Sequence, residues 1–298
     1  MATLNVIDIS SWQKGLDLSS LFSQNPTLNG VIVKATGGVS NVQPTCDAWA
    51  QWLMQNNKPW GFYHFLDDDY QHSSGAVEAR FFVDNTKNYF KHGIPVADYE
   101  TPATSKGTGY LKDFLDTVYL LTGVRPLVYC SLSVVQSGDF QAIARAGYQL
   151  WVAQYADMNT VNGFVDTPWQ KGSVSPFSGY VMHQYTSCGR LNGWGGNLDF
   201  DKFYGSVADW NAIANGDKST PETVPEKKKV NSAVVMDVLN GKYGIREDRV
   251  KRLKADGFNP DEVQAKINEL YTVAGKVKPL VASNMSYLDC IVKIIRSL

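Results

Sequence analysis

The chain has 298 residues, 44% of them hydrophobic and 19% charged, which excludes a disordered chain and suits one large domain with a smaller one beside it. The formal net charge of −1 is unevenly spread: residues 1–229 carry 17 Lys and Arg against 21 Asp and Glu, whereas residues 230–298 carry 11 against 8, predicting two parts with different partners. No basic N-terminal segment leads into an apolar core, no apolar run reaches membrane-spanning length, and Cys46, Cys130, Cys188 and Cys290 lie too far apart for a zinc or dithiol motif.

Short β-branched and aromatic runs recur along the first two thirds, with helical patterns between the early ones, as expected of βα units. Strands are predicted near 5–10, 30–36, 59–65, 94–100, 126–131, 149–155, 180–186 and 198–203. Val77, Phe81 and Phe82, then Leu111, Phe114, Leu115, Val118 and Leu121, mark the buried faces of two helices. Residues 156–179 are rich in Gly, Pro, Ser and Asn and predict loop. The fold class is therefore α/β: a TIM-like barrel of eight strands over residues 1–214, with helices missing between the last strands.

A polar stretch with two prolines and a lysine run, 215–229, reads as a linker. Residues 230–272 predict a small C-terminal three-helix bundle: Val235, Val238 and Leu239 mark the first helix, and Val250 and Leu253 the second, which stops at Gly257. The third is capped by Asn259, starts at Pro260 and buries Val263, Ile267 and Leu270. The tail, 273–298, offers one more apolar stripe of Leu288, Ile291, Val292 and Ile295, expected either to dock on its own bundle or to pair two chains into a homodimer.

In a parallel βα barrel, reactive groups project from the C-terminal ends of strands. Asp8 closes the first predicted strand, Asp98 and Glu100 close the fourth, and Asp199 lies in the eighth, which closure sets beside the first. The D-x-E spacing points Asp98 and Glu100 the same way, with Cα atoms roughly 6.5–7 Å apart. Two like charges that close resist ionising together, so one carboxyl can stay protonated as a general acid. Tyr63, His64, Trp151, Tyr155, Gln184 and Tyr185 end other strands and are expected to line the same mouth as stacking and hydrogen-bonding partners for a sugar. A carboxylate cluster could also hold magnesium or calcium, but no calcium-loop spacing occurs, nor any zinc-protease, phosphate-loop or serine-hydrolase motif. His72 and His92 are expected at the surface, and His183 on the strand face opposite Gln184.

The segments DISSWQ, VIVKATGG, GFYHF, VADYE, LWVAQY, HQYTS and LDFDKF, in this order over about residues 4–205, resemble glycoside hydrolase family 25, the lysozymes common in phage endolysins. The resemblance implies cleavage of the β-1,4 bond between N-acetylmuramic acid and N-acetylglucosamine, with Glu100 as proton donor, Asp98 positioning the N-acetyl group or stabilising charge, and Asp8 and Asp199 completing the cleft. Where the family often has a glutamate after Lys34-Ala35-Thr36, this chain has Gly37. Residues 231–271 resemble the CW-seven repeat, a wall-binding module, with Arg249, Gly257 and Gln264 on its recurring positions and Arg249 available to a stem-peptide carboxylate. The combined expectation is an endolysin-type N-acetylmuramidase needing no cofactor or metal, made in the bacterial host's cytoplasm without a signal peptide. Its expected partner is bacterial peptidoglycan, with no nucleic acid and no membrane insertion; a chitinase-like barrel glycosidase and an inactive peptidoglycan-binding protein are the alternatives.

Overall fold

Ten strands make one sheet: β1 Leu4–Ile9, β2 Leu28–Gly37, β3 Asn41–Val42, β4 Trp60–Phe65, β5 Ile94–Asp98, β6 Leu127–Ser131, β7 Leu150–Ala153, β8 Val161–Asn162, β9 Met182–Arg190 and β10 Leu198–Phe203. In this computed structural model, which describes residues 2–70, 73–216, 230–244, 246–256, 258 and 260–277, the sheet closes because β1 pairs with both β2 and β10. The barrel runs β1-β2-β4-β5-β6-β7-β9-β10, with β3 and β8 as two-residue additions on β2 and β9. These eight barrel strands are the eight expected from the sequence.

Of the eight barrel strands one departs from the parallel pattern: β10 is antiparallel to both β9 and β1. The connection from Arg190 to Leu198 is too short for a crossover, which needs about a dozen residues or more, so the chain turns straight back. A residue near the start of β10 therefore reaches the level where the other strands end, and Asp199 stands opposite Asp8.

Side chains alternate across each strand, and the inward set changes character along the barrel. At the lower end Leu4, Val6, Ile32, Ile94, Val96, Leu127, Met182 and Phe203 fill the interior. The helix Val207–Ala214 closes that end: Trp210 packs edge-on to Phe203 at 5.0 Å and donates its indole N–H to the carbonyl of Trp60 at 3.0 Å. Toward the other end the inward positions become Asp8, Lys34, Tyr63, Asp98, Tyr129, Gln184 and Asp199, which is where the cleft forms.

Outward side chains pack under the helices. Helix Gly107–Thr122 buries Tyr110, Leu111, Phe114, Leu115 and Val118 and stops at the left-handed Gly123, but Leu121, expected on that face, is 45% exposed. Helix Gly75–Thr86 buries Gly75, Glu78, Ala79, Phe82 and Thr86, while Val77 is 50% exposed. The covered face is rotated from the apolar positions because Glu78 is drawn inward by four donors. His64 Nε2 lies 3.0 Å from its carboxylate, the Asp67 amide donates at 2.9 Å, Ser73 at 2.9 Å, and the Tyr110 hydroxyl completes the set. As expected, helices are short after β6 (Leu132–Ser137 and Gln141–Arg145) and missing between β7 and β10.

The described chain divides into two units, Met1–Lys218 and Ser219–Leu298. The second contains helices Ser232–Leu239, Arg246–Ala255 and Pro260–Val277, with the first capped by the Asn231 side chain at 3.1 Å from the Val234 amide. Val234, Val235, Val238, Tyr243, Leu253, Val263, Ile267 and Leu270 form its core, and Leu253 is the buried residue of the second helix among the described side chains, whereas Val250 is 41% exposed. Gly257, Asn259 and the tail stripe at Leu288, Ile291, Val292 and Ile295 lie outside the described residues.

Glu78→Ala should destabilise the barrel by about 3 kcal/mol or more, because it strands several buried donors at once. Urea unfolding measures this, and a loss below about 1 kcal/mol would mean those groups find other partners.

Candidate active site

The upper end of the barrel opens into a cleft of about 290 Å³, whose walls carry Asp8, Asp98, Glu100 and Asp199 together. Strand β5 ends at Asp98, yet the Tyr99 amide still donates to the carbonyl of Tyr129 at 2.9 Å, keeping the chain extended so that Asp98 and Glu100 face one cleft. Tyr63, Trp151, Tyr155 and Gln184 also line it, as the sequence predicts.

Gln184 organises the floor. Its carbonyl oxygen accepts the hydroxyls of Tyr129, at 2.8 Å, and of Tyr155. Those two donors fix the amide's orientation, so its NH₂ must point the other way, where it donates to Asp8 Oδ2 at 2.6 Å. Beneath Asp8, Asp201 is fully buried and accepts the Trp151 indole N–H at 2.9 Å. Among the described residues, Asp201 Oδ2 and Asp98 Oδ1 are buried without a hydrogen-bond partner.

Burial and mutual repulsion hold these carboxyls above their ordinary range. Burial pushes Asp8 up to about 6, with the Gln184 hydrogen bond drawing it back and Glu100 adding to the rise. Asp199 is pushed up to about 8 by burial and then by Asp8 and Glu100. Burial raises Asp98 well above the carboxylate range, helped by Glu100 and Asp8 and opposed by Lys34. Glu100 is raised by burial, partly offset by the Tyr129 hydroxyl. Such a set keeps at least one carboxyl protonated near neutrality, ready to donate to a leaving oxygen, beside others that can carry charge.

Two expected lining residues are elsewhere. His64 follows the inward Tyr63 and so points out of the barrel, where it is fully buried between Glu78 and the Thr36 hydroxyl at 2.8 Å. Burial lowers its pKa, which leaves a neutral ring bonded at both nitrogens. Tyr185 follows the inward Gln184 and likewise points out; its hydroxyl accepts the Val165 amide at 3.1 Å. His183 also faces outward, as predicted, with Nε2 on the carbonyl of Gln154 at 2.8 Å, and His92 is exposed.

Sequence reasoning missed Ser10, Trp12, Lys34, Phe65, Tyr129 and Asp201. Period two could have found Lys34, two residues after the inward Ile32, and Asp201, two after Asp199. Trp12 has no periodic signal. It sits on a single 3-10 turn, Ser11–Gln13, locked by reciprocal bonds between Ser10 and Gln13, and presents an indole 90% exposed on the lip of the cleft. The expected glutamate position, Gly37, is filled from another loop, since a Cβ there would lie 2.3 Å from Asp68 Oδ2. In the second unit, Arg249 and Gln264 do meet, Nη1 to Oε1 at 3.4 Å, with Arg249 Nε also on the Gly244 carbonyl at 3.2 Å.

A closed barrel with an aromatic lip and clustered, partly protonated carboxyls at its mouth is that of a glycoside hydrolase. The model for Glycosyl hydrolases family 25 matches residues 7–194, and the chain belongs to that family, as a lysozyme-type enzyme; a CW_7 repeat matches residues 232–271. The chain is 26% identical over 270 residues to a lysozyme of Streptococcus phage Cp-7, covering 89% of this chain and 69% of that one. Among solved structures, it is similar to the bacterial lysozyme of Streptomyces coelicolor at 25% identity and a TM-score of 0.60, covering 72% of this chain and 98% of that one. The muramidase of Acremonium alcalophilum shares the fold, at 23% identity and a TM-score of 0.57, covering 72% and 100%.

The raised Asp199 gives a stability prediction with a definite sign. Between its ordinary 3.8 and about 8, the folded chain holds a proton that the unfolded chain has released, so this residue's contribution is most favourable below 3.8 and falls as pH rises toward about 8. Asp199→Asn should therefore raise the urea midpoint near pH 8 and change it little near pH 4. Equal midpoints for variant and parent across that range would remove the buried charge from the account.

Proposed function

We propose that this chain is an endolysin-type N-acetylmuramidase that hydrolyses the β-1,4 bond between N-acetylmuramic acid and N-acetylglucosamine in bacterial peptidoglycan. The observation that carries this reading is the pair Asp98 and Glu100, one residue apart on one cleft wall, with both carboxyls raised by burial. Glu100, the less deeply buried of the two, donates its proton to the glycosidic oxygen as the bond breaks. Asp98 holds the substrate's own N-acetyl group toward the anomeric carbon, and that group's carbonyl oxygen attacks there as the glycosidic bond breaks. Water, giving up a proton to the Glu100 carboxylate, then displaces that oxygen, and the two inversions leave the product with its anomeric configuration kept. Asp8, whose carboxyl is pushed only to about 6, adds negative potential for the positive charge that develops on the sugar, and Asp199 completes the wall beside it.

The rest of the cleft suits a glycan. Tyr63, Tyr129, Trp151 and Tyr155 offer ring faces and hydroxyls, and the exposed Trp12 offers a platform for a pyranose ring. The names of the relatives, lysozyme and muramidase, favour this substrate over chitin. The C-terminal unit, with Arg249 and Gln264 adjacent, is the wall anchor in this reading.

Reducing-end analysis of digested, purified peptidoglycan is the direct test: muramic acid at the new ends is expected, and glucosamine ends would overturn the bond assignment. Glu100→Gln should lower turnover by about 10²–10⁴-fold with the fold intact. Retention of more than about a tenth of parental activity at an unchanged thermal midpoint would take Glu100 out of the donor role. A chain ending at residue 216 should still cleave short soluble fragments but lose affinity for whole walls, because a tether mainly raises local substrate concentration. Equal pelleting of short and full chains with walls would show that the bundle is not the anchor.

A further inference from the structure

The muramidase reading gives no role to Lys34, which is the one cation among the described residues lining the cleft. Lys34 points inward from β2, beside Tyr63 of β4 in register, and faces the carboxyls of Asp8, Asp98, Glu100 and Asp199. An unrestrained ammonium there would fold toward those carboxyls. Instead its Nζ lies 2.9 Å from Asp68 Oδ2 and 4.7 Å from the centre of the Phe65 ring, held to the wall.

Asp68 can stand there only because of Gly37. The space a β-carbon would occupy at that residue is taken by the Asp68 side chain, with Oδ2 at 2.3 Å and Cβ at 2.6 Å from the ideal position. Asn41 Nδ2 donates to the same Asp68 oxygen at 2.6 Å. The neighbours of Asp68 are fastened as well. Asp67 pairs with Lys106 at 2.8 Å, and Asp69 accepts the Val39 amide and the Ser40 hydroxyl, each at 2.7 Å, over Gly38.

We propose that Asp68, seated in the space left by Gly37, is a positioning residue that fixes the Lys34 ammonium in the cleft wall and thereby sets the protonation of the Asp98–Glu100 pair. The proposal rests on the functional reading above. Its direction follows from charge. Lys34 favours the ionised form of Asp98 and Asp68 opposes it, while the buried His64 behind β4 is neutral and adds no charge. Removing the Asp68 charge deletes an anion and frees the ammonium to lean toward the carboxyls; both effects ease proton loss.

The pH profile of kcat/KM on purified peptidoglycan tests this. In Asp68→Asn the alkaline limb should move to lower pH, by roughly half a unit or more. Lys34→Met should move it the other way, and in that background Asp68→Asn should shift it far less. Gly37→Ala, whose methyl displaces the Asp68 carboxyl, should mimic Asp68→Asn and carries the test with Lys34→Met if Asp68→Asn fails to fold. Limbs that stay in place, shifts of one sign in both single variants, or a full Asp68→Asn shift without Lys34 would each overturn the proposal. Absence of reducing-end release by the parent chain overturns the functional reading instead, whereas fixed limbs with that release intact overturn this inference alone.

Discussion

Five carboxyl groups, those of Asp8, Asp98, Glu100, Asp199 and Asp201, share the upper end of a closed barrel, and the rest of the barrel is arranged to tolerate them. Each is desolvated, and each resists the ionisation of its neighbours. An open sheet could relieve such crowding by splaying, but strands paired on both sides cannot. The tolerance comes from fixed dipoles: the Gln184 amide locked by two tyrosines, the Trp151 indole under Asp201, and the ammonium of Lys34. The apolar lower half supplies the stability that the upper half spends, a division expected where function requires locally unfavourable contacts.

The sequence makes the strand ends and their residue types legible because a half-polar, half-apolar inward face leaves a period-two trace. Asp8, Asp98, Glu100 and Gln184 could be read this way. The same rule, applied without knowing which parity faces inward, also nominated His64 and Tyr185, each one residue from a true lining position and so on the wrong side. The reversed direction of β10 left no mark in its own residues; only the short turn before it carries that information. Val77 failed for a related reason, since apolar spacing names a face but does not show that a polar residue such as Glu78 is drawn into it.

Loop chemistry was the least legible. Gly37 reads in sequence as the loss of a functional carboxylate, yet in space it is the condition for another carboxylate, 31 residues on, to enter the same wall. Nothing local in the run Asp67-Asp68-Asp69 tells which of the three turns inward. The choice is made by Lys34 and the Val39 amide, from β2 and the turn after it, and by Lys106, far along the chain. The buried histidine behind the barrel belongs to this arrangement too: through Glu78 it holds the Asp67 amide, where the triplet begins.

The locked turn that carries Trp12 has an optical consequence. Trp49, Trp60, Trp151 and Trp210 are buried in the barrel unit, whereas the Trp12 indole is surrounded by water on the lip of the cleft. An indole in water emits at longer wavelength than one in an apolar setting and is open to collisional quenchers. Trp12, 90% exposed against 49% for Trp169, therefore weights the red edge of the intrinsic fluorescence toward the entrance. A sugar ring laid on it shields that emitter while Trp49, Trp60 and Trp210, away from the cleft, stay as they were. The entrance carries its own occupancy reporter, with no added label.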